Sequence, residues 1–121
     1  MKRVYVAGKM SGEPNLNYHN FNRVAKQLRA EGYHVENPAE NPDPPCKSWR
    51  KYMEMAIRQL ATCDAIFLLN GWQDSKGAGV EYELALGLGM EIIFENPDPS
   101  LELVAYKWVK LDKLFEKSYE Y

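Results

Sequence analysis

The sequence predicts an α/β fold in which helices cover both faces of a parallel sheet of about four to five strands. Short runs rich in β-branched and aromatic residues alternate with longer segments of helical periodicity. Residues 65–69 are apolar at every position, which is typical of a strand covered on both faces. In such a fold the loops that follow the strands converge on one edge of the sheet, where ligands bind.

The first half of the chain has the size of a βαβ unit. Residues 2–7 are predicted to form a central strand that ends at Gly8. A helix capped by Asn15 or Asn17 follows and ends near Gly32, and residues 33–36 form the second strand. The helix has apolar residues at i, i+3, i+4 and i+7: Phe21, Val24, Ala25 and Leu28.

In the second half, a loop with four prolines (residues 37–47) precedes a helix predicted for residues 48–62 with Ser48 as its cap. Residues 65–69 are the third strand. A third helix begins near Ser75, and residues 91–95 form a fourth strand. The aromatic tail is predicted to hold an edge strand or a short helix and is a candidate contact with a partner subunit.

Composition limits the classes of function. The 121 residues fit one domain, 1–121, with a core at about 2–95 and a tail at 96–121. A net charge of −2 provides no basic surface for duplex nucleic acid. No apolar run approaches the ~20 residues that span a bilayer, and no signal pattern opens the chain. We therefore expect a cytoplasmic protein without membrane contact, with Cys46 and Cys63 as free thiols.

Glu81 is the most unusual residue in the pattern. Its helical neighbours at i+3, i+4 and i+7 are Leu84, Ala85 and Leu88, which places a carboxylate on a core-facing side. A buried carboxylate is costly unless it is paired or lines a cavity that uses it. Glu83 lies well round the helix and is expected to reach solvent. The helix dipole is expected to keep Glu81 ionised.

Other candidates lie at the predicted crevice, the edge of the sheet where the loops after the strands converge. For each of them a purely structural role is the alternative to a role in ligand binding or catalysis. Tyr5 either packs in the core or orients a carboxylate. The loop residues Gly8, Lys9, Met10 and Ser11 either bind a phosphate or sugar hydroxyl or only connect strand to helix. Asp64 either closes a helix or takes part in the site.

Three further positions follow strand ends. Asn37 begins the loop after the second strand. Ser75 and Gly77 begin the third helix, where free N–H groups attract anions, although a plain Ser cap is the alternative. Trp49 and Trp72 border the crevice and are candidates to stack on a base or to pack in the core.

Four stretches together resemble the nucleoside 2-deoxyribosyltransferase superfamily, and within it small proteins of the DUF4406 type. The stretches are residues 4–12 (VYVAGKMSG), 36–40 (ENPAE), 63–69 (CDAIFLL) and 77–81 (GAGVE). The resemblance covers roughly residues 2–95. It implies a Rossmann-like (flavodoxin-like) fold and cleavage of the N-glycosidic bond of nucleosides or their 5′-monophosphates.

The resemblance also implies roles for individual residues. The catalytic glutamate of the superfamily follows a Gly-x-Gly-hydrophobic segment, which Gly77 to Val80 match, including Gly79, so Glu81 takes that role. Tyr5 and Asp64 fall on the superfamily's tyrosine and aspartate. Ser75 stands where transferases carry an aspartate and where the nucleotide-hydrolase branch has a phosphate-contacting serine.

The expected chemistry is attack of Glu81 on C1′ and formation of a glycosyl-enzyme ester, as in retaining glycosidases. Tyr5 would hold Glu81, and Asp64 would handle the proton of the departing base. No metal or cofactor is expected, and the resemblance implies a homodimer or higher homo-oligomer with a shared site. The alternative is a protein on the same fold that binds or sequesters a nucleotide without catalysis.

Overall fold

The computed structural model describes residues 2–96, and the expectations for the tail beyond residue 96 fall outside this range. Strands and helices alternate along it. The strands are β1 (Arg3–Ala7), β2 (His34–Glu36), β3 (Ala65–Leu68) and β4 (Glu91–Phe94). The helices are α1 (Tyr18–Ala30), α2 (Trp49–Ala61) and α3 (Lys76–Gly87). All strand pairs are parallel and the order is β2-β1-β3-β4, which confirms the predicted Rossmann-like α/β class.

Alternation along β1 explains why helices cover both faces of the sheet. Val4 and Val6 pack on the face that α1 covers through its apolar stripe. Tyr5 and Ala7 point to the opposite face, where they share a core with residues of α2 and α3 such as Leu60. Because both faces are covered, the central strands β1 and β3 are almost entirely buried.

The serine cap predicted for α2 is confirmed, and the cap that was the alternative for Ser75 in α3 is also observed. Ser48 accepts a hydrogen bond from the Lys51 N–H at 3.2 Å, and Ser75 accepts one from the Ala78 N–H at 3.1 Å. Of the two asparagines expected to cap α1, Asn17 does hold the N-cap position, but the expected side-chain bond is absent. Asn17 precedes α1 with a left-handed φ of 62°, and its side chain makes no capping bond. Its amide instead donates to the Lys9 carbonyl oxygen at 3.0 Å, so it fastens the loop after β1.

The parallel arrangement gathers three loops at one edge of the sheet. β1, β2 and β3 all end at this edge, and α1, α2 and α3 all begin near it. β1 and β3 are the two central strands, so the crevice at this edge is expected to be deepest between their ends. None of the helices within residues 2–96 combines the length and apolarity that a membrane crossing requires.

Candidate functional site

A cavity of about 530 Å³ opens at the carboxyl-terminal edge of the sheet. Its floor includes Tyr5 and Glu81, and its walls come from the loop after β1, the segment after β2 and the first turns of α2 and α3. This volume lies in the range of small-molecule sites. The fold therefore places a ligand-sized space beside the one buried glutamate that the sequence singles out.

Tyr5 and Glu81 form a buried hydrogen-bonded pair on the cavity floor. The Tyr5 hydroxyl donates to Glu81 Oε2. Tyr5 is 1% exposed and Glu81 is 5% exposed, whereas Glu83 is exposed. The predicted difference in surroundings between the two glutamates is thus confirmed. Because the tyrosine holds one carboxylate oxygen, the orientation of the carboxyl group in the cavity is fixed.

Burial changes the proton affinity of both partners. Loss of water raises the pKa of Glu81 from 4.5 to about 7, although the Tyr5 hydrogen bond opposes this rise. Burial, together with the neighbouring Glu81 charge, raises the pKa of Tyr5 well above 10. Tyr5 therefore remains a proton donor in its hydrogen bond near neutral pH, while Glu81 is divided between its two protonation states.

The expectation that the helix dipole keeps Glu81 ionised is not met, because burial raises the pKa of Glu81 to about 7. Ser75 is the N-cap of α3, so Glu81 lies in the second turn, where the effect of the dipole has faded. Desolvation then outweighs the Tyr5 hydrogen bond, and the pKa of Glu81 rises.

The loop after β1 lines the cavity with Gly8, Lys9, Met10 and Ser11, as the sequence predicts. Gly8 packs closely against Leu69, the residue that follows β3. A Cβ built on Gly8 would lie 2.9 Å from Leu69 Cδ1. The Lys9 ammonium lies 3.8 Å from the Glu13 carboxylate, which draws it toward its own loop. The loop is therefore closely packed on one side and presents polar groups on the other.

The start of α3 forms the facing wall. Ser75, Lys76 and Gly77 all line the cavity. Ser75 is both the helix cap and a cavity residue, so its oxygen is occupied by the Ala78 N–H while its hydroxyl hydrogen can still be donated. Lys76 was missed by the sequence analysis, since the resemblance assigns no role to this position.

An aromatic wall comes from the first turns of α2. Trp49 and Tyr52 line the cavity and remain 48% and 41% exposed, respectively. The Tyr52 hydroxyl donates to Asp43 in the preceding loop at 3.2 Å. The sequence pattern singles out Trp49 as a candidate but gives Tyr52 no role beyond the helix. The available signal was the i, i+3 spacing of two aromatic residues at a helix start that follows a strand end.

Asp64 is not brought to the cavity. It precedes β3, and its carboxylate accepts a hydrogen bond from the Arg3 N–H at 2.8 Å at the start of β1. Its own N–H donates to the Arg3 carbonyl at 2.8 Å. Since the strands are parallel, a residue before β3 lies at the edge opposite the cavity. Asp64 joins the beginnings of two strands there.

Three further candidates lie outside the cavity lining. Trp72 is buried and packs on Tyr82, with ring centroids 4.6 Å apart. Asn37 is buried and shapes its own loop, where its side chain accepts from the Ala39 N–H at 3.1 Å. Gly79 lies on α3 away from the lining, and a Cβ there would meet no atom within 4 Å. Of the two possibilities for Trp72, stacking on a base or packing in the core, the structure shows packing in the core.

Among residues 2–96, no three His, Cys, Asp or Glu side chains come together as ligands for a metal ion. The chain matches no curated protein. A protein-family model does match it, over residues 2–94, which is most of the fold described above. By that match, the chain belongs to the family described as "Domain of unknown function (DUF4406)".

Proposed function

We propose that this protein cleaves the N-glycosidic bond of (deoxy)nucleoside 5′-monophosphates or nucleosides, with Glu81 as the nucleophile. The observation that carries the proposal is a buried glutamate held by a tyrosine on the floor of a ligand-sized cavity. A carboxyl group in this position costs stability, and that cost is ordinarily kept only where the group is used. The resemblance of the sequence to the deoxyribosyltransferases supplies the substrate class.

The reaction follows from the geometry of the pair. A Glu81 oxygen forms a bond to C1′ while the C1′–N bond breaks, and its electron pair leaves with the base. The base takes a proton from solvent or from an acid of the cavity wall. Water then hydrolyses the glycosyl ester, or a second base accepts the sugar. Tyr5 keeps Oε2 of Glu81 in place throughout.

Two aspartates of the cavity wall are candidates for the acid that, in its protonated form, gives the leaving base its proton. Asp74 and Asp43 both line the cavity, whereas Asp64, which the resemblance assigns to this role, lies at the opposite edge of the sheet. The proposed mechanism therefore rests on Glu81 and Tyr5 and no longer assigns a step to Asp64.

The position of Asp64 favours a second candidate function. A protein whose cavity lacks the expected acid would still bind a nucleotide between its aromatic and polar walls. The alternative is therefore a nucleotide-binding or nucleotide-sequestering protein on the same fold. The homo-oligomeric state implied by the resemblance belongs to both candidates, and sedimentation of the purified protein tests it.

Base release distinguishes the two candidates. The purified protein is incubated with the four common 2′-deoxynucleosides and their 5′-monophosphates, and free base is measured by chromatography. We expect release that falls by at least about 10³-fold in Glu81→Gln, because the nucleophile is lost. Glu83→Gln is the matched control, since Glu83 is exposed on the same helix.

Each result has one interpretation. Release that persists in Glu81→Gln contradicts the proposed mechanism. Monophosphate binding without release by the unmodified protein, measured by calorimetry, supports the binding function instead. A mass increase of one deoxyribosyl group with a nucleoside, or of one 5-phosphodeoxyribosyl group with a monophosphate, on the peptide that contains Glu81 would identify the covalent intermediate directly.

A further inference from the structure

Exposed hydrophobic side chains are concentrated at the mouth of the cavity. Five large hydrophobic side chains within residues 2–96 are exposed: Leu16, Trp49, Tyr52, Val80 and Leu88. The first three of them line the cavity, and we call Leu16, Trp49 and Tyr52 the apolar rim. Apolar surface that is exposed and gathered beside a cavity marks a place where a partner or ligand binds.

Leu16 holds its place in the apolar rim through an unfavourable backbone conformation. Asn15, Leu16 and Asn17 are consecutive left-handed residues, with φ of 49°, 55° and 62°. Asparagine adopts this conformation readily, whereas for leucine it is costly because Cβ comes too close to the following carbonyl oxygen. A leucine at this point therefore indicates a use for its side chain, and its position in the cavity lining shows where that use lies.

The surroundings of the left-handed turn impose its conformation. The Leu16 N–H donates to the Glu13 carbonyl oxygen at 3.1 Å. The Asn17 amide donates to the Lys9 carbonyl oxygen at 3.0 Å, and Asn17 Oδ1 accepts from the Asn20 side chain at 2.6 Å. The turn is therefore tied to the loop after β1 and to the first turn of α1, and the direction of Leu16 follows from these bonds.

The aromatic members of the apolar rim are also restrained. The Lys76 ammonium lies over the Trp49 ring, 4.3 Å from its centroid, in a cation–π contact. The Tyr52 hydroxyl donates to Asp43 at 3.2 Å. Exposed rings that already have such partners lose less conformational freedom when a ligand binds to them.

The apolar rim has members on both sides of the sheet. Leu16 directly precedes the start of α1, whereas Trp49 and Tyr52 belong to the first turns of α2. These two helices cover opposite faces of the sheet. Glu81 lies on the floor of the same cavity, where the proposed reaction requires the sugar. A base bonded to that sugar carbon then extends toward the mouth, between the two sides of the rim.

We propose that the apolar rim binds the nucleobase, with Leu16 against one face of the base and the aromatic rings of Trp49 and Tyr52 on the other side. Stacking of this kind depends on the area of the ring system and reads little of its edge, so purines are favoured over pyrimidines. The inference rests on the proposed function for the class of ligand. It adds the place of the base, the contact with Leu16 and the preference for purines.

Equilibrium binding tests the position of the base separately from catalysis. Calorimetry is carried out on proteins that carry Glu81→Gln, so that the ligand stays intact. The ligands are the four common 2′-deoxynucleoside 5′-monophosphates and 2-deoxyribose 5-phosphate, which lacks the base. We expect the purine nucleotides to bind at least about tenfold more tightly than the sugar phosphate and about threefold more tightly than the pyrimidine nucleotides.

Variants of the left-handed turn test Leu16. Leu16→Asn and Leu16→Gly suit the left-handed backbone but lack the apolar side chain, so each should weaken nucleotide binding by at least about threefold. Both should raise the midpoint of thermal unfolding by at least about 2 °C, because the strain is relieved. Asn15→Gly is the matched control, since Asn15 belongs to the same turn but not to the cavity lining, and it should leave nucleotide affinity unchanged. A lower midpoint in both Leu16 variants would overturn the role of Leu16 as a strained ligand contact.

Variants of α2 test the aromatic side. Trp49→Ala should weaken purine nucleotide binding by about tenfold and reduce the preference for purines, whereas Trp49→Phe should keep most of both. The affinity for 2-deoxyribose 5-phosphate should not change in either variant. Arg50→Ala is the matched control, because Arg50 is the next residue of α2, is exposed and does not line the cavity.

The outcomes separate the inference from the proposed function. Equal affinity for nucleotides and sugar phosphate overturns the inference, and base release by the unmodified protein would still support the function. Nucleotide binding that depends on Leu16 and Trp49, without base release by the unmodified protein, supports the inference and contradicts the catalytic function.

Two further results would overturn the inference. One is nucleotide affinity that is unchanged in both Leu16→Asn and Trp49→Ala. A changed sedimentation coefficient of these variants would then assign the apolar rim to a contact between copies of the chain. The other is the absence of measurable binding of any of the four nucleotides.

Discussion

At the scale of single residues, the proton affinity of Glu81 decides how the site can work. Its pKa of about 7 follows from burial, and the Tyr5 hydrogen bond limits the rise. In the proposed reaction a nucleophile must be ionised, so near neutral pH only the ionised fraction of Glu81 is expected to attack. The same residue is expected to lower stability, since an ionised carboxylate in this position is poorly solvated.

The first prediction concerns the pH dependence of base release. We expect kcat/KM to rise about tenfold per pH unit below pH 7 and to level off above it, because this ratio reports the free enzyme and only ionised Glu81 attacks. The substrate phosphate titrates near pH 6, so the profile is measured with nucleosides as well as monophosphates. A rate that falls above pH 7 would mean that Glu81 acts as an acid.

The second prediction concerns stability. The unfolded chain releases the Glu81 proton near pH 4.5, whereas the folded protein holds it up to about pH 7. The free energy of unfolding therefore falls as the pH rises through this window, by at most about 3 kcal/mol. Glu81→Gln removes the effect, so it should stabilise the protein by about 1–3 kcal/mol at pH 8 and by much less at pH 4.5.

Urea denaturation at the two pH values measures this difference. Glu83→Gln is the control and should change the free energy of unfolding by no more than about 0.5 kcal/mol, because its side chain is exposed. Equal stability of Glu81→Gln and the unmodified protein at pH 8 would show that the buried carboxylate carries no cost.

At the scale of elements, the loop after β1 owes its position to one glycine. Gly8 follows β1 directly and lies against Leu69, the residue after β3. A side chain at this point would push the loop away from the neighbouring strand end. Asn17 fastens the same loop from the other side through the Lys9 carbonyl. The wall of the cavity is therefore fixed at two points.

The third prediction tests this contact. Gly8→Ala would place a Cβ 2.9 Å from Leu69 Cδ1 and 3.0 Å from Leu69 Cβ, closer than such atoms pack. We expect a loss of about 1–3 kcal/mol in the free energy of unfolding, together with weaker ligand binding. Thermal denaturation of Gly8→Ala and of the double variant Gly8→Ala, Leu69→Ala measures the change in stability. Calorimetry with a 2′-deoxynucleoside 5′-monophosphate measures the change in binding. The double variant should recover part of the binding loss, and equal binding by all three proteins would contradict the prediction.

At the scale of the whole molecule, the parallel topology sets which residues share the site. The strand order β2-β1-β3-β4 places β1 and β3 at the centre, so the segments after these strands meet over Tyr5 and Glu81. The same topology places Asp64 at the other edge, where it links the starts of β1 and β3. Because all strands are parallel, the residues after the strands come together at the cavity, whereas Asp64, which precedes β3, is kept away from it.

The sequence by itself determined the α/β class, the order of the elements, the Ser48 cap and the burial of Glu81 against the exposure of Glu83. These features depend on local periodicity and on the residue type at a helix start, both of which are readable along the chain. The tertiary structure alone decided that Tyr5 bonds to Glu81, that Trp72 packs in the core, and that Lys76 lies on Trp49. Such contacts join residues far apart in sequence, or side chains of different helices, and local periodicity carries no record of them. The raised pKa of Glu81 belongs with these contacts, because it depends on the water that the assembled core excludes.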